Sequence, residues 1–296
     1  MITTTTTIVR RRRLGGGLAT TILHNGKALT GAILLAMFTI IAIVPQWFTS
    51  IHHPTQRAFE LSLPPSSDHW LGTTAFGQDV LAQLIYGTRE TLVIAFVVGA
   101  LSTILSVIVG VSAAYLGGFA DESLSLVTDV FLVIPTFPLI IVIAAYVGQG
   151  SLGVVIVVLT VTGWSYGARQ LRVQTLSLRN RDFLEAARVR GERRSYIIVF
   201  EVLPTMISLI IANFLGAALF AVLTAAGLQF IGLGDPSSLS WGTMLHWAKS
   251  SSALQTDQEW WAIAPGICVA LLGAAFALLN YAFDEVSNPA LRKVRS

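Results

Sequence analysis

Six stretches of this chain stay apolar long enough to consider as membrane crossings, with polar segments between them. They cover roughly residues 28–48, 91–116, 124–147, 152–166, 203–226 and 260–283, the fourth being the shortest. A helix of about 20 apolar residues spans the hydrocarbon core of a bilayer. The first stretch is about twice the length of a signal-peptide core and has no small-x-small cleavage pattern after it, so it reads as an uncleaved helix. The pattern predicts an all-α, polytopic membrane protein with six transmembrane helices.

Charge sharpens this picture. With six crossings, both tails and the segment 168–204 share one side of the membrane. That side holds Arg10 to Arg13, Lys27, Arg169, Arg172, Arg179, Arg181, Arg188, Arg190, Arg193, Arg194, Arg292, Lys293 and Arg295. Only Arg57, Arg89 and Lys249 fall on the other. Short loops rich in Lys and Arg stay cytoplasmic, so the expectation is an inner-membrane protein with cytoplasmic N- and C-termini. The expected parts are a basic tail over 1–27, a membrane domain over 28–283 and a tail over 284–296. Trp47, Tyr166, Trp260 and Tyr281 stand near span ends, where aromatic anchors collect. Apolar residues make up 54% of the 296 and charged residues 12%, so no sizeable soluble domain is expected. The basic residues are not interleaved with aromatics, and no nucleic-acid partner is expected.

The arginine-rich segment carries the clearest local signal. Asp182 and Glu185 have the spacing of a capping box, and Gly191 is a natural helix stop. A short helix should therefore cover 182–190. Ala186 and Ala187 leave a patch without bulk, where a second protein can approach the backbone. The competing reading is an amphipathic helix lying on lipid headgroups. After the glycine, 196–203 is apolar, and Pro204 opens the next span, where a missing N–H costs little.

Glu185-Ala186-Ala187 followed by Gly191, with Leu203-Pro204 beyond, resembles the coupling loop of bacterial ATP-binding-cassette (ABC) importer permeases. Residues 69–73 and 77–89 resemble the outer segment before the second helix in the C-type permease of dipeptide and oligopeptide importers, as do 230–242 its last outer loop and 288–292 its C-terminal signature. The resemblance runs over about 28–292 and implies the type I importer permease fold. It also implies a second homologous permease, two cytoplasmic ATPase subunits docked through Glu185, Ala186, Ala187, Gly191, Leu203 and Pro204, and an external solute-binding protein. Trp70 and Trp241 are then expected at the receptor face. Thr74, Gln78, Gln83, Leu126 and Ala225 stand where that family more often carries charge.

Asp129 and Asn213 are the candidates for the transport path. Ionisable groups at membrane depth are commonly functional, though Asp129 lies near a span end and Asn213 has the commoner use of bonding a neighbouring helix. Scattered His52, His53, His69 and His246 match no ligand spacing, and the single Cys268 builds neither a disulfide nor a Cys-based metal site. No cofactor is expected. The chain has no Gly-x4-Gly-Lys-Ser/Thr loop, so ATP would be hydrolysed by a partner. A stand-alone secondary transporter or channel, and an intramembrane enzyme, remain the alternatives.

Overall fold

The computed structural model describes residues 25–147 and 151–287. The stretches 1–24, 148–150 and 288–296, the last including the signature at 288–292, lie outside the described residues. Among the described residues there are helices and turns but no strands. Among the described residues five helices are long and apolar enough to cross a membrane, or six when a bent pair is taken as one span.

Helix α1 (Gly26–Ile43) stops before Pro45, which opens a short 3-10 turn, Pro45–Trp47. A residue that precedes proline is driven out of the helical region, so the first span ends earlier than the apolar run. Helix α2 (Val80–Leu116) has 37 residues, about 55 Å at 1.5 Å each, and far exceeds the hydrocarbon thickness. Its start is fixed by Asp79, whose side chain accepts from the Ala82 amide at 2.7 Å. Hydropathy located only the part of α2 beyond residue 90, because the first three turns carry Gln83, Arg89 and Glu90.

The third predicted span is broken. Helices α3 (Gly118–Val133) and α4 (Thr136–Val147) meet at 86° across Ile134 and Pro135. Ile134 is extended at φ −68°, ψ 128°, as the residue before a proline tends to be. Helices α5 (Leu152–Gly163) and α6 (Ser165–Leu178) together form one 27-residue span, so the segment expected to be a loop from residue 168 is helical up to Leu178. Polarity there marks the end of the apolar environment rather than of the helix.

Helices α7 (Asp182–Val189) and α8 (Arg194–Ile197) lead through a π-helical turn, Ile198–Val202, to the three-residue α9 (Leu203–Thr205). Helix α10 (Ile207–Phe230) then starts three residues after Pro204 rather than at it. Helix α11 (Trp241–Ser250) begins with a capping box made by Ser240 and Thr243, and α12 (Glu259–Ser287) closes the described chain.

Three apolar clusters hold these helices together. One joins α1, α2, α10, α11 and α12 around Phe38, Trp241, Trp261 and Phe276. A second joins α2, α4, α5 and α10 around Ile94, Ile140 and Leu159. The third sits under the arginine-rich end around Tyr115, Leu171, Leu184 and Ile197.

Candidate functional site

The arginine-rich end is built on α6, α7 and the C-terminal turns of α2. Helix α7 has two faces. Leu184 and Ala187 are fully buried against Val111, Leu171 and Ile197, while Phe183, Glu185, Ala186 and Val189 are exposed. Only Ala186 of the alanine pair is therefore open to another protein, and Ala187, expected to face a partner, packs inside its own chain. Its small size lets α7 sit close to the cluster below. The capping box expected from Asp182 and Glu185 does not form. Arg181 is the N-cap and makes no side-chain cap bond, and the two acids lie within the first turn, where they oppose the positive end of the helix dipole.

Gly191 has φ +79°, and the Glu192 amide reaches back to the Ala187 carbonyl at 3.2 Å. This is the closure that glycine commonly permits at a helix end. Leu203 is half-buried and Pro204 is exposed beside it. Arginines stitch the region together. Arg172 grips Asp121 of α3 through two contacts of 2.6 and 2.9 Å, a fork-on-carboxylate arrangement. Arg188 donates to the Arg179 carbonyl at 2.9 Å and lies over the Tyr115 ring. Arg190 lies 3.7 Å from Glu201, across the glycine turn.

A cavity of about 350 Å³ opens between α2, the α3–α4 bend, α5–α6, α10 and α12. Phe131 and Phe220 supply aromatic surface, and Thr103, Ser106, Asn213 and Asn280 supply polar surface. Asn213 thus lines a cavity and also donates to the Leu209 carbonyl at 3.1 Å. Asp129, the other path candidate, lies elsewhere. It is exposed, 3.8 Å from Arg169, beside a smaller hollow between α2, α3 and α6. Asn280 was missed in the sequence, being a single polar residue inside an otherwise apolar last span.

At the opposite end, Trp70 and Trp241 part company. Trp70 is 72% exposed, whereas Trp241 is completely buried. The Trp241 ring nitrogen donates to the Leu84 carbonyl at 3.0 Å, its amide to Thr91 Oγ1 at 3.3 Å, and its ring meets Phe38 edge-on at 5.2 Å. It therefore offers no surface to a receptor. The expectation failed because α11 was not anticipated, and α11 carries Trp241 inward on its first turn. His69 shares a buried 2.8 Å hydrogen bond with Asp79, the residue that caps α2. Asp235, on the connection between α10 and α11, accepts from the Ser237 hydroxyl and amide, which hold its carboxyl below the usual carboxylate range.

Residues 102–292 match the family model described as binding-protein-dependent transport system inner membrane component. Among curated proteins, the chain is 34% identical over 235 residues to an oligopeptide transport system permease protein of Mycobacterium tuberculosis, covering 78% of this chain and 79% of that protein. It is 28% identical over 272 residues to the oligopeptide transport system permease protein of Bacillus subtilis, covering 91% and 87% respectively. It is 30% identical over 271 residues to the dipeptide transport system permease protein of the same organism, covering 91% and 83%.

Proposed function

We propose, from the premise that this chain belongs to the family of binding-protein-dependent transport system inner membrane components, that it forms half of the path of an ATP-driven peptide importer. It is a multi-pass permease of the inner membrane and belongs to a transport system with other subunits. In the proposed assembly a homologous permease completes the path. Two ATPase subunits bind the arginine-rich end, a solute-binding protein delivers cargo at the opposite end, and both tails are cytoplasmic.

The observation that carries this reading is the outward face of α7. Phe183, Ala186 and Val189 present apolar surface next to exposed arginines, on a helix whose inner face is locked to the bundle. Ala186 lets a partner approach the helix closely, and the bend at Gly191 returns the chain to the membrane. Peptide cargo is supported by what the related permeases of M. tuberculosis and B. subtilis are said to transport.

Ala186→Arg tests the docking face without touching the core. The expected result is a normal yield of the membrane protein with at least a tenfold loss of co-purifying ATPase, together with uptake. Normal ATPase recovery and normal uptake would overturn the coupling role of α7. Should it lie only on lipid headgroups, the added arginine would leave ATPase binding unchanged. Orientation is tested separately by single cysteines at the exposed positions Ser177 and Ser66 in a Cys268→Ser background. A reagent that cannot cross the membrane should label position 66 in intact cells and leave 177 unlabelled. The reverse pattern would invert the topology.

A further inference from the structure

We infer that the central cavity is a cargo subsite that reads N–H donors through the fixed amide oxygens of Asn213 and Asn280 and disfavours anionic groups. The inference rests on the permease reading and extends it to the chemistry of the path wall.

Orientation of the two amides follows from their partners. Asn213 Nδ2 lies 3.1 Å from the Leu209 carbonyl oxygen, and Asn280 Nδ2 lies 3.0 Å from the Ala212 carbonyl oxygen. A carbonyl oxygen is only an acceptor, so in each case the amide nitrogen must be the end that faces it. Flipping either amide would set two acceptors against each other. The side-chain oxygens, with the second N–H of each amide, are therefore left for other partners. Neither oxygen has a hydrogen-bond partner among the described residues, and neither is sealed from solvent.

The surroundings keep these amides in place. A Cβ on Gly167 would come within 2.7 Å of both Asn213 Oδ1 and Ser106 Oγ, and a Cβ on Gly216 would come within 2.9 Å of Asn280 Nδ2. Both glycines line the same cavity, so the wall is cut back to backbone where the amides lie. The hydroxyl protons of Ser106 and Thr162 are committed to main-chain carbonyls. Thr136 and Ser165 are left to turn either way.

Among the described residues no Asp, Glu, Lys, Arg or His lines this cavity. A carboxylate entering it leaves water, meets two amide oxygens, and finds hydroxyl donors on Thr103, Thr136 and Ser165 but no cation to compensate it. An amide N–H finds an acceptor at each asparagine. The wall thus suits neutral, amide-bearing solute, with its N–H groups toward α10 and α12.

The test uses the complete importer in proteoliposomes, with trialanine, Ala-Lys-Ala and Ala-Glu-Ala as probes. Maximal uptake rate and half-saturation are measured for each. Asn213→Asp replaces one amide by a carboxylate of the same shape, and Gln170→Glu does the same at a half-exposed position on the cavity rim. Either variant should raise the maximal rate for Ala-Lys-Ala relative to Ala-Glu-Ala by about tenfold or more, given the strength of charge pairs in a partly desolvated site. Half-saturation, set by delivery to the opposite end, should not change. A purely structural role for Asn213 would lower all three rates alike and leave their ratio unchanged, which would overturn the inference. Unchanged ratios in Gln170→Glu would do so even if Asn213→Asp failed to assemble. Absence of ATP-dependent uptake of any probe by the unaltered complex would instead defeat the peptide-permease reading itself, and the subsite with it.

Discussion

The two ends of the helical bundle are finished in opposite ways. At the arginine-rich end, short helices sit on an apolar cluster and are tied at their edges by charged groups that remain partly in water. The Arg172–Asp121 pair is two-pronged, yet Arg190 and Asp129 are each more than half exposed. At the opposite end the chain closes over itself with neutral bonds around the buried His69–Asp79 contact. Thr73 Oγ1 donates to the Glu60 carbonyl at 2.7 Å and accepts from the Leu63 amide at 2.8 Å. Gln83 donates to Gln78, which in turn donates to the Thr55 carbonyl, each at 2.8 Å. Trp241 and Trp261 are buried in the cluster against which Leu71, Ala75 and Phe76 of this strap, residues 55–78, pack. Exposed ion pairs contribute little, typically under about 1 kcal/mol each, whereas a buried tryptophan contributes several. The opposite end is therefore closed by buried aromatic and polar groups, whereas the arginine-rich end adds weak, partly exposed ion pairs to the apolar cluster beneath it. The arginine-rich end keeps both apolar and charged surface available for a partner.

The contrast breaks most sharply at Trp241. Truncating a buried aromatic typically costs about 3–5 kcal/mol, and Trp241→Ala also leaves the Leu84 carbonyl without the donor that the indole supplies. Thermal unfolding in detergent should show a large loss of stability, with poor recovery of folded protein. Val189→Ala, on an 83% exposed side chain at the other end, should fall within about 0.5 kcal/mol of the unaltered chain. Equal stability of the two variants would show that the ends are not finished differently.

How much of this was legible in the sequence differs in the same way between the two ends. The arginine-rich end could be read locally, because a helix stop such as Gly191 and the acids of α7 act on their immediate neighbours. Even there, which alanine faces inward was settled by the cluster containing Val111 and Tyr115 of α2, far away in sequence. At the opposite end the decisive contacts are long-range. Trp241 bonds to Leu84 and Thr91, about 150 positions earlier, and no periodicity of its own segment reports that. Hydropathy found the spans but misplaced their ends wherever a helix outran the bilayer, as α2 does before residue 91 and α6 does after 167. It also merged α3 with α4, since both are apolar and only Pro135 separates their axes. The cavity was legible solely through Asn213. Its partner Asn280 acquires meaning from the bond to Ala212, across two helices.

The smallest expected effect sharpens the comparison through two glycines with similar backbone angles. Gly72, in the strap, has φ +68°, and Gly191, after α7, has φ +79°. An added Cβ at Gly72 would run into the Leu63 carbonyl oxygen and approach the Trp260 ring nitrogen at 2.7 Å. At Gly191 it would meet nothing within 4 Å. Both substitutions bring the conformational cost of a left-handed residue, about 1–2 kcal/mol, but only Gly72→Ala adds a collision with backbone that has little room to move. Overpacking of that kind typically costs about 1–3 kcal/mol more. Gly191→Ala should therefore lower thermal stability slightly while the folded protein is recovered normally, and Gly72→Ala should lower it by clearly more. A loss of ATPase co-purification that is larger in Gly191→Ala than in the less stable Gly72→Ala reports the path of the chain after α7 rather than a weakened bundle. Matching stability losses in the two variants would mean that the strap yields as readily as the open turn, and the opposite end would not be the more tightly closed of the two.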